Sequence, residues 1–523
     1  MGELKMAGLF SIVLHSHLPF CLGKGKWPFG EEWLFEITLD TYLPLLKSFL
    51  ELKEEKIDFK VQLGITPVLM EQLKSAYFQD EFLKYLDSKE TLLLKDQESF
   101  QGKPEYINLA NLYLDELLNH KKLFLQINGD LIKSFSQLQK EGYLEILTSA
   151  ATHGYLPLFS NNLSIMSQIM TGCEVYEKYT GQKPIGFWLP ECGYKPGLEN
   201  ILSEFGLKYF ITDSHALAQE GSDSISLSIG TNKFTEPSPS SSFFGYNIGS
   251  DLTTFLRNSP TSKLVWSRDM GYPGDGIYRE FHKKYEISGF PYWKITNKDT
   301  PLDKKEIYSI EDARNKAKGH ASHFVSMLRS LNSNFKRVNK RDGIILSAYD
   351  TELFGHWWNE GVEWLKEVLK IISKETGIVM AHPSEIISTG FNIKEGKLKE
   401  SSWGMGGSHY TWYNSETMWI WDMIHEDEKE LAEVLPSLQG LEGELLVREF
   451  LLETSSDWPF LITTSQAREY GKKRFMEHRN KFRNILLNIK SGNSVPDIDN
   501  LDRNDFLFKN LNLEGLKKYY ART

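Results

Sequence analysis

Three cysteines in 523 residues, Cys21, Cys173 and Cys192, are too few to staple a chain of this size. A disulfide framework is excluded, and a reducing, cytoplasmic compartment is expected. Positive charge is in deficit, and a formal net charge of -10 argues against a nucleic-acid partner. Long apolar runs are missing too. The N-terminal MGELKMAGLFSIVLHSHLPF is interrupted by His15 and lacks a small-residue cleavage site. No stretch reaches the roughly 18 to 20 apolar residues that span a bilayer, so a soluble chain without a membrane partner, acting as a monomer, is expected. The hydrophobic fraction of 41% and charged fraction of 25% exclude wholesale disorder.

Aromatic residues, by contrast, are plentiful at 13%, with 13 Trp and 23 Tyr. A large core accounts for many of them. A cleft lined with flat rings, suited to the C–H faces of sugars, is the other reading. At this length one large domain with attachments, or two to three domains, is expected.

Short β-branched or aromatic runs recur along the chain: 9–14, 59–64, 144–149, 185–189, 208–212, 343–349 and 377–381. Amphipathic helical stretches separate most of them, and repeated β-then-α points to a parallel sheet or barrel. Seven such runs are one short of eight, so the fold class expected is α/β with an incomplete barrel. Its division is 1–75 plus 141–385 for the barrel, 76–140 for an inserted helical subdomain and 386–523 for a C-terminal helical domain. The Ser/Gly-rich QEGSDSISLSIG and PSPSSS (237–242) read as a mobile loop.

Polar groups follow every run: His15 and His17, Thr66, His153, Glu191, Asp213 and His215, Asp350, and His382 with Ser384. Thr66 and Ser384 read as helix caps. As a set, titratable groups at the carboxyl ends of barrel strands are what an active site on that face requires. Two chemistries stay open. Glu191 and Asp350 could face each other as the carboxyl pair of a retaining glycosidase. Alternatively His15-x-His17, His153, His215 and Asp350 could hold a metal, as in the amidohydrolase barrels. A non-catalytic glycan-binding protein is a third reading, and it leaves Glu191 and Asp350 without a role.

HSHLPF (15–20), ATHGYLPL (151–158), WLPECGY (188–194) and AYDTELFGHWW (348–358) resemble, in order, the signature regions of glycoside hydrolase family 57. KWPFGEEWLFE (26–36), VWSRDMGYPGDGIYREF (265–281), SSWGMGGSHYTWYN (401–414) and SSDWPFLITTSQAREY (455–470) are similar to its glucan-branching members. The resemblance implies a distorted (β/α)7 barrel and a cofactor-free, metal-free double displacement on α-1,4-glucans. It makes Glu191 the nucleophile and Asp350 the acid/base, in surroundings that keep Glu191 ionised and Asp350 initially protonated. His15, His17 and His153 would hold sugar hydroxyls, and Trp27, Trp266, Trp403 and Trp412 would stack on the glucan. Asp457 is a further substrate-binding candidate. Of Trp357 and Trp358, one is expected on the cleft wall and one in the core. Branching members carry a Tyr-bearing loop before the VWS motif; here Tyr246 is the only tyrosine in that region. An amylase or a 4-α-glucanotransferase therefore stays open beside a branching enzyme.

Overall fold

The computed structural model describes residues 7–26, 28–217, 225–229, 232–236, 241–267 and 271–522. At its centre, seven parallel strands curl around one another. They are β1 (Gly8–Ser16), β2 (Val61–Ile65), β3 (Leu144–Ser149), β4 (Gly186–Trp188), β5 (Tyr209–Asp213), β6 (Thr253–Arg257) and β7 (Ile344–Asp350). Their order is β7-β1-β2-β3-β4-β5-β6. Between β6 and β7 no ladder forms among the described residues; the Asn258 N–H donates to the Leu346 carbonyl at 2.8 Å across that seam. The result is a distorted, incomplete barrel.

These strands are buried on both faces, which explains their continuous apolar runs. Their side chains alternate with a period of two. Leu9 and Val13 of β1 join Leu147, Trp188, Tyr209, Ile211, Phe255, Ile344, Leu346 and Ala348 in the barrel interior. Phe10, Ile12 and Leu14 belong instead to the large core shared with the surrounding helices. The same alternation carries inward to the strand ends, so His15 of β1 and Asp350 of β7 follow the interior row. Those two residues are also register partners.

One expected barrel strand is replaced by another. The run 377–381 yields only Ile378–Met380, which pairs with the first residues of β1 and stays outside the barrel order. β6 takes the seventh place instead. It lies beyond the Ser/Gly-rich and PSPSSS segments, in a stretch for which the sequence pattern predicts no strand. Within the Ser/Gly-rich region, 225–229 and 232–236 pair as an antiparallel hairpin. Residues 218–224, 230–231 and 237–240, on which the mobile-loop expectation also falls, lie outside the described residues.

Residues 76–140 are occupied by helices Ala76–Ser99, Pro104–Gln126 and Leu131–Lys140. Phe35, after β1, packs against Phe78 and Phe82 of the first of these. The principal C-terminal helices are Met418–Val434, Gly440–Glu453, Asp457–Thr463 and Arg468–Ser491. Of the helices searched, none is long and apolar enough to cross a membrane.

Candidate active site

Glu191 and Asp350 reach the same hollow by different means. Asp350 is the last residue of β7 and follows the inward row of that strand. Glu191 comes just past β4, where Pro190 opens a tight turn and both Glu191 and Cys192 adopt left-handed φ values of 60° and 50°. Left-handed backbone costs a non-glycine residue about 1–2 kcal/mol, so the surrounding packing must hold it there. The Trp403 indole N–H donates to Glu191 Oε2 at 2.6 Å, and the Trp403 backbone N–H donates to the Glu191 carbonyl at 3.0 Å. Glu191 keeps 14% of its side-chain surface open. No hydrogen bond ends on the Asp350 carboxyl group among the described residues.

Three histidines form one side of the hollow. His15 and His153 meet Nε2 to Nε2 at 3.0 Å, and His17 stacks on His153 with ring centroids 4.1 Å apart. Trp188 closes the stack against His15 at 4.5 Å. His17 is fixed at both ring nitrogens, Nδ1 by the Thr66 hydroxyl and Nε2 by Asp457 Oδ2, each at 3.0 Å. His153, also at a left-handed φ of 58°, places Nδ1 2.9 Å from the Ser456 hydroxyl and 3.8 Å from Glu191 Oε1. Burial holds the His15 and His153 rings well below the usual histidine range, so both are neutral near pH 7.

The carboxyl groups shift the other way. Burial pushes Glu191 up to about 8, helped by the charge of Asp350 and opposed by the Trp403 N–H. Burial pushes Asp350 up to about 7, with His17 and Arg257 pulling down. A third acid, Glu352, rises to about 8, through burial and then the charge of Asp350. It accepts from the Tyr42 hydroxyl at 2.5 Å and from the His17 backbone N–H at 3.1 Å. The free site therefore does not sort its two protons as expected, with Glu191 ionised and Asp350 protonated. It raises both acids, so that near neutral pH the pair retains a proton. The Trp403 donor favours the arrangement with the carboxylate on Glu191.

The expected aromatic residues differ in how open their rings are. Trp266 is 39% exposed at the end of helix Ser259–Trp266, and Trp357 is 51% exposed. Trp358 is the core partner of that pair, packed among Tyr278, Trp364 and Phe354. Trp412 is 1% exposed, with its ring stacked on Tyr155 at 4.4 Å, so its face is not open to a ligand in this conformation. Tyr246 is a correction. It pairs with Thr254 near the start of β6, 6% exposed, on the strand that continues the sheet beyond the barrel. The start of β6 is opposite the end that bears the site, and burial there against Phe244 explains its apolar neighbourhood. Trp27 lies outside the described residues.

The cap readings also change. Thr66 is the N-cap residue of helix Pro67–Lys74 by position, but its hydroxyl makes no cap bond and serves His17. His382, not Ser384, caps helix Pro383–Thr389, and the Ser384 hydroxyl donates to Glu145.

Two charged groups beside Glu191 and Asp350 escaped sequence reasoning. Arg257, at the end of β6, is the register partner of Asp213 and donates through Nε to its Oδ2 at 2.9 Å. Its guanidinium lies over the Trp403 ring at 5.1 Å and its charge reaches Asp350. Finding it needed the strand 253–257 to be recognised. Glu352 stood in view two residues after Asp350, and only its burial distinguishes it from a surface acid. The metal reading finds little support in the geometry. Among the described residues, the His, Cys, Asp and Glu atoms close enough to share a cation belong to Glu449, His478 and Asp505 of the C-terminal helices. There Lys24 and Lys481 already meet Asp505, at 2.5 Å each.

Comparison with known proteins agrees with this geometry. Residues 423–515 match a region described as 1,4-alpha-glucan branching enzyme, C-terminal. The chain is 39% identical over 505 residues to the 1,4-alpha-glucan branching enzyme TK1436 of Thermococcus kodakarensis, covering 92% of this chain and 73% of that protein. Among solved structures, the GH57-type branching enzyme from Pyrococcus horikoshii superposes with a TM-score of 0.89 at 36% identity, covering 97% of this chain and 96% of that one. The alpha-amylase AmyC from Thermotoga maritima superposes at 0.87 and 28% identity, covering 98% and 99%. Residues 11–399, most of the chain, match the pattern of glycosyl hydrolase family 57. The chain belongs to glycosyl hydrolase family 57.

Proposed function

We propose that this protein is a 1,4-α-glucan branching enzyme that works by a retaining double displacement. The observation that carries the reading is the Glu191–Asp350 hollow, with Trp403 donating to Glu191 and three histidines stacked beside it. Similarity to branching enzymes over more than nine-tenths of the chain supports the choice of reaction.

In the first step Glu191 attacks the anomeric carbon of an α-1,4-linked glucosyl unit as Asp350 gives its proton to the departing oxygen. The glycosidic bond breaks and a glucosyl ester forms. In the second step the 6-hydroxyl of an acceptor chain attacks that carbon, Asp350 takes the hydroxyl proton and Glu191 departs as carboxylate. The starting protonation state is restored, and no cofactor is assigned. His15, His17 and His153 would bind hydroxyls of the sugar beside Glu191, with Asp457 orienting His17. Trp266, Trp357 and Trp403 supply ring surface for the chain, and Trp27 and Trp412 are retained as candidates that need the bound state. Working as a monomer in the cytoplasm is part of the same reading; three free, buried cysteines support its reducing compartment. So is the division into a barrel (1–75 and 141–385), an insertion (76–140) and a C-terminal part (386–523), which the helix placement supports.

Incubation with amylose tests the reaction. New α-1,6 linkages in excess of released reducing ends are expected. Reducing ends without branches would make the protein an amylase, as AmyC is named. Redistributed chain lengths without either would make it a glucanotransferase.

A further inference from the structure

Beside the catalytic hollow lies a second space that the reaction does not use. A cavity of about 320 Å³ opens between helix Pro104–Gln126 of the insertion and the barrel. This is within the roughly 300–1,000 Å³ that small-ligand sites occupy. A smaller hollow of about 60 Å³ adjoins it; the two share Asp40, Arg279, Phe290 and Asn359 in their walls, and the smaller one extends to the exposed Trp357. The two adjoining hollows thus extend from the insertion to the ring of Trp357.

The polar groups in this space are incompletely satisfied. Arg279 stands among Tyr113, Asp40, Tyr308 and Glu360; its side chain is engaged by the Tyr113 hydroxyl, and among the described residues no ion pair closes on its guanidinium. Glu360 is 3% exposed and accepts through one oxygen only. Oε1 takes the Tyr308 hydroxyl at 2.5 Å and the Arg279 backbone N–H at 3.1 Å, while Oε2 has no partner. Burial raises Glu360 above the usual carboxyl range, and a buried carboxyl oxygen left unbonded marks a place where a hydrogen-bond partner is missing. Other charges around the cavity neutralise one another, Glu116 meeting Arg314 at 2.9 Å and Glu51 meeting Lys47. An anion would gain little there. Fork-shaped donors, carboxyl acceptors and the flat faces of Phe290 and Tyr308 together suit a neutral polyol with vicinal hydroxyls.

The wall between this cavity and the catalytic hollow is one π-helical turn, Thr38–Tyr42. Asp40 of that turn lines the cavity, whereas Tyr42 donates to Glu352 on the catalytic side. Gly355 is pressed against the same turn. At φ 104°, a Cβ there would come within 1.9 Å of the Asp40 carbonyl oxygen, so only glycine fits. A ligand in the cavity therefore sits one helical turn away from the neighbours of Asp350.

We propose that this cavity is an auxiliary binding site for a short segment of α-glucan, holding a chain next to the catalytic cleft rather than within it. The proposal rests on the α-glucan reading above. Its test is calorimetric titration of the Glu191→Gln protein with maltotriose. Two binding sites are expected in that parent. Arg279→Gln should weaken one of them by at least tenfold and leave the other. Asn119→Trp, on the exposed helix surface at the cavity mouth, should do the same by filling the entrance, and it decides the matter should Arg279→Gln fail to fold. A single site in the parent, abolished by Trp403→Ala, would overturn the auxiliary site while keeping the α-glucan reading. Two sites that both variants leave unchanged would overturn it as well. Absence of any maltotriose binding would overturn both.

Discussion

Two regions of this protein bury acids, and they treat them in opposite ways. In the C-terminal helices, Asp505 is fully buried but lies 2.5 Å from both Lys24 and Lys481, which hold its carboxyl group well below the usual range. Even Glu449 nearby is pushed up, by burial and then by Asp505, because the cations are taken by its neighbour. In the barrel mouth, Glu191, Asp350 and Glu352 are buried together without a directly paired lysine or arginine among the described residues, and all three rise. Burial is common to both regions. The presence of a partner cation decides whether a buried acid stabilises the fold or is poised to exchange a proton.

The largest test of this contrast is catalytic. Glu191→Gln and Asp350→Asn should each reduce transfer on amylose by roughly 10³-fold or more, as loss of a covalent or proton-transferring group does. Neither should lower the unfolding midpoint in thermal melts at pH 7, because each removes a carboxyl group that the fold holds unfavourably. Substantial turnover in either variant would refute the assigned roles.

Asp505→Asn should behave in the reverse manner. It removes the buried charge that Lys24 and Lys481 share, leaving the half-exposed Glu477 at 4.0 Å and 3.3 Å, and should cost about 3–5 kcal/mol in denaturant unfolding, with turnover per folded molecule retained. A loss below about 1 kcal/mol would show that the partner cations relax into solvent and that the contrast is overdrawn.

Trp403→Phe sharpens the argument within the catalytic half. It keeps a ring and removes the donor to Glu191 Oε2, a charge-assisted bond worth about 1.5–3 kcal/mol. The rate should fall about tenfold or more, and the acid limb of the kcat/KM profile should move to higher pH. A lower rate with an unmoved limb would leave Trp403 only a packing role.

The smallest effect is the pH dependence of stability itself. An acid with a raised folded pKa stabilises the fold only while protonated. Its contribution is complete below the ordinary value and declines as pH rises through the folded one. For Glu191 and Glu352 that window runs from 4.5 to about 8. Asp505 works oppositely, stabilising above its ordinary 3.8 and losing that effect as pH falls below it. Glu191→Gln should flatten the decline on the alkaline side, and Asp505→Asn should flatten the loss on the acid side.

The placing of Glu191 and Asp350 at one end of the barrel was legible in the sequence because strand ends are marked by an abrupt change from apolar to charged residues. Asp350 after GIILSAY and His15 after LFSIVL show this directly, and their side-by-side register follows from parallel pairing of neighbouring strands. Strand 253–257 was hidden since TTFLR is short and flanked by Ser, Gly and Asn, and with it went Arg257. The run 377–381 had the right composition but too few partners, as β1 offers it only Gly8–Phe10. Which tryptophans would be covered was beyond a pattern reading. Trp357 and Trp358 are consecutive, and only tertiary packing exposes the first and buries the second.

The left-handed backbone at Glu191 and Cys192 has an evolutionary consequence. Two adjacent positions there would each be more comfortable as glycine or asparagine, so the chain stores instability at the residue proposed as its nucleophile. Selection for heat resistance alone should drift toward such replacements and extinguish turnover as it succeeds. A lineage of this protein that grows more stable while remaining active must find its improvements elsewhere in the molecule.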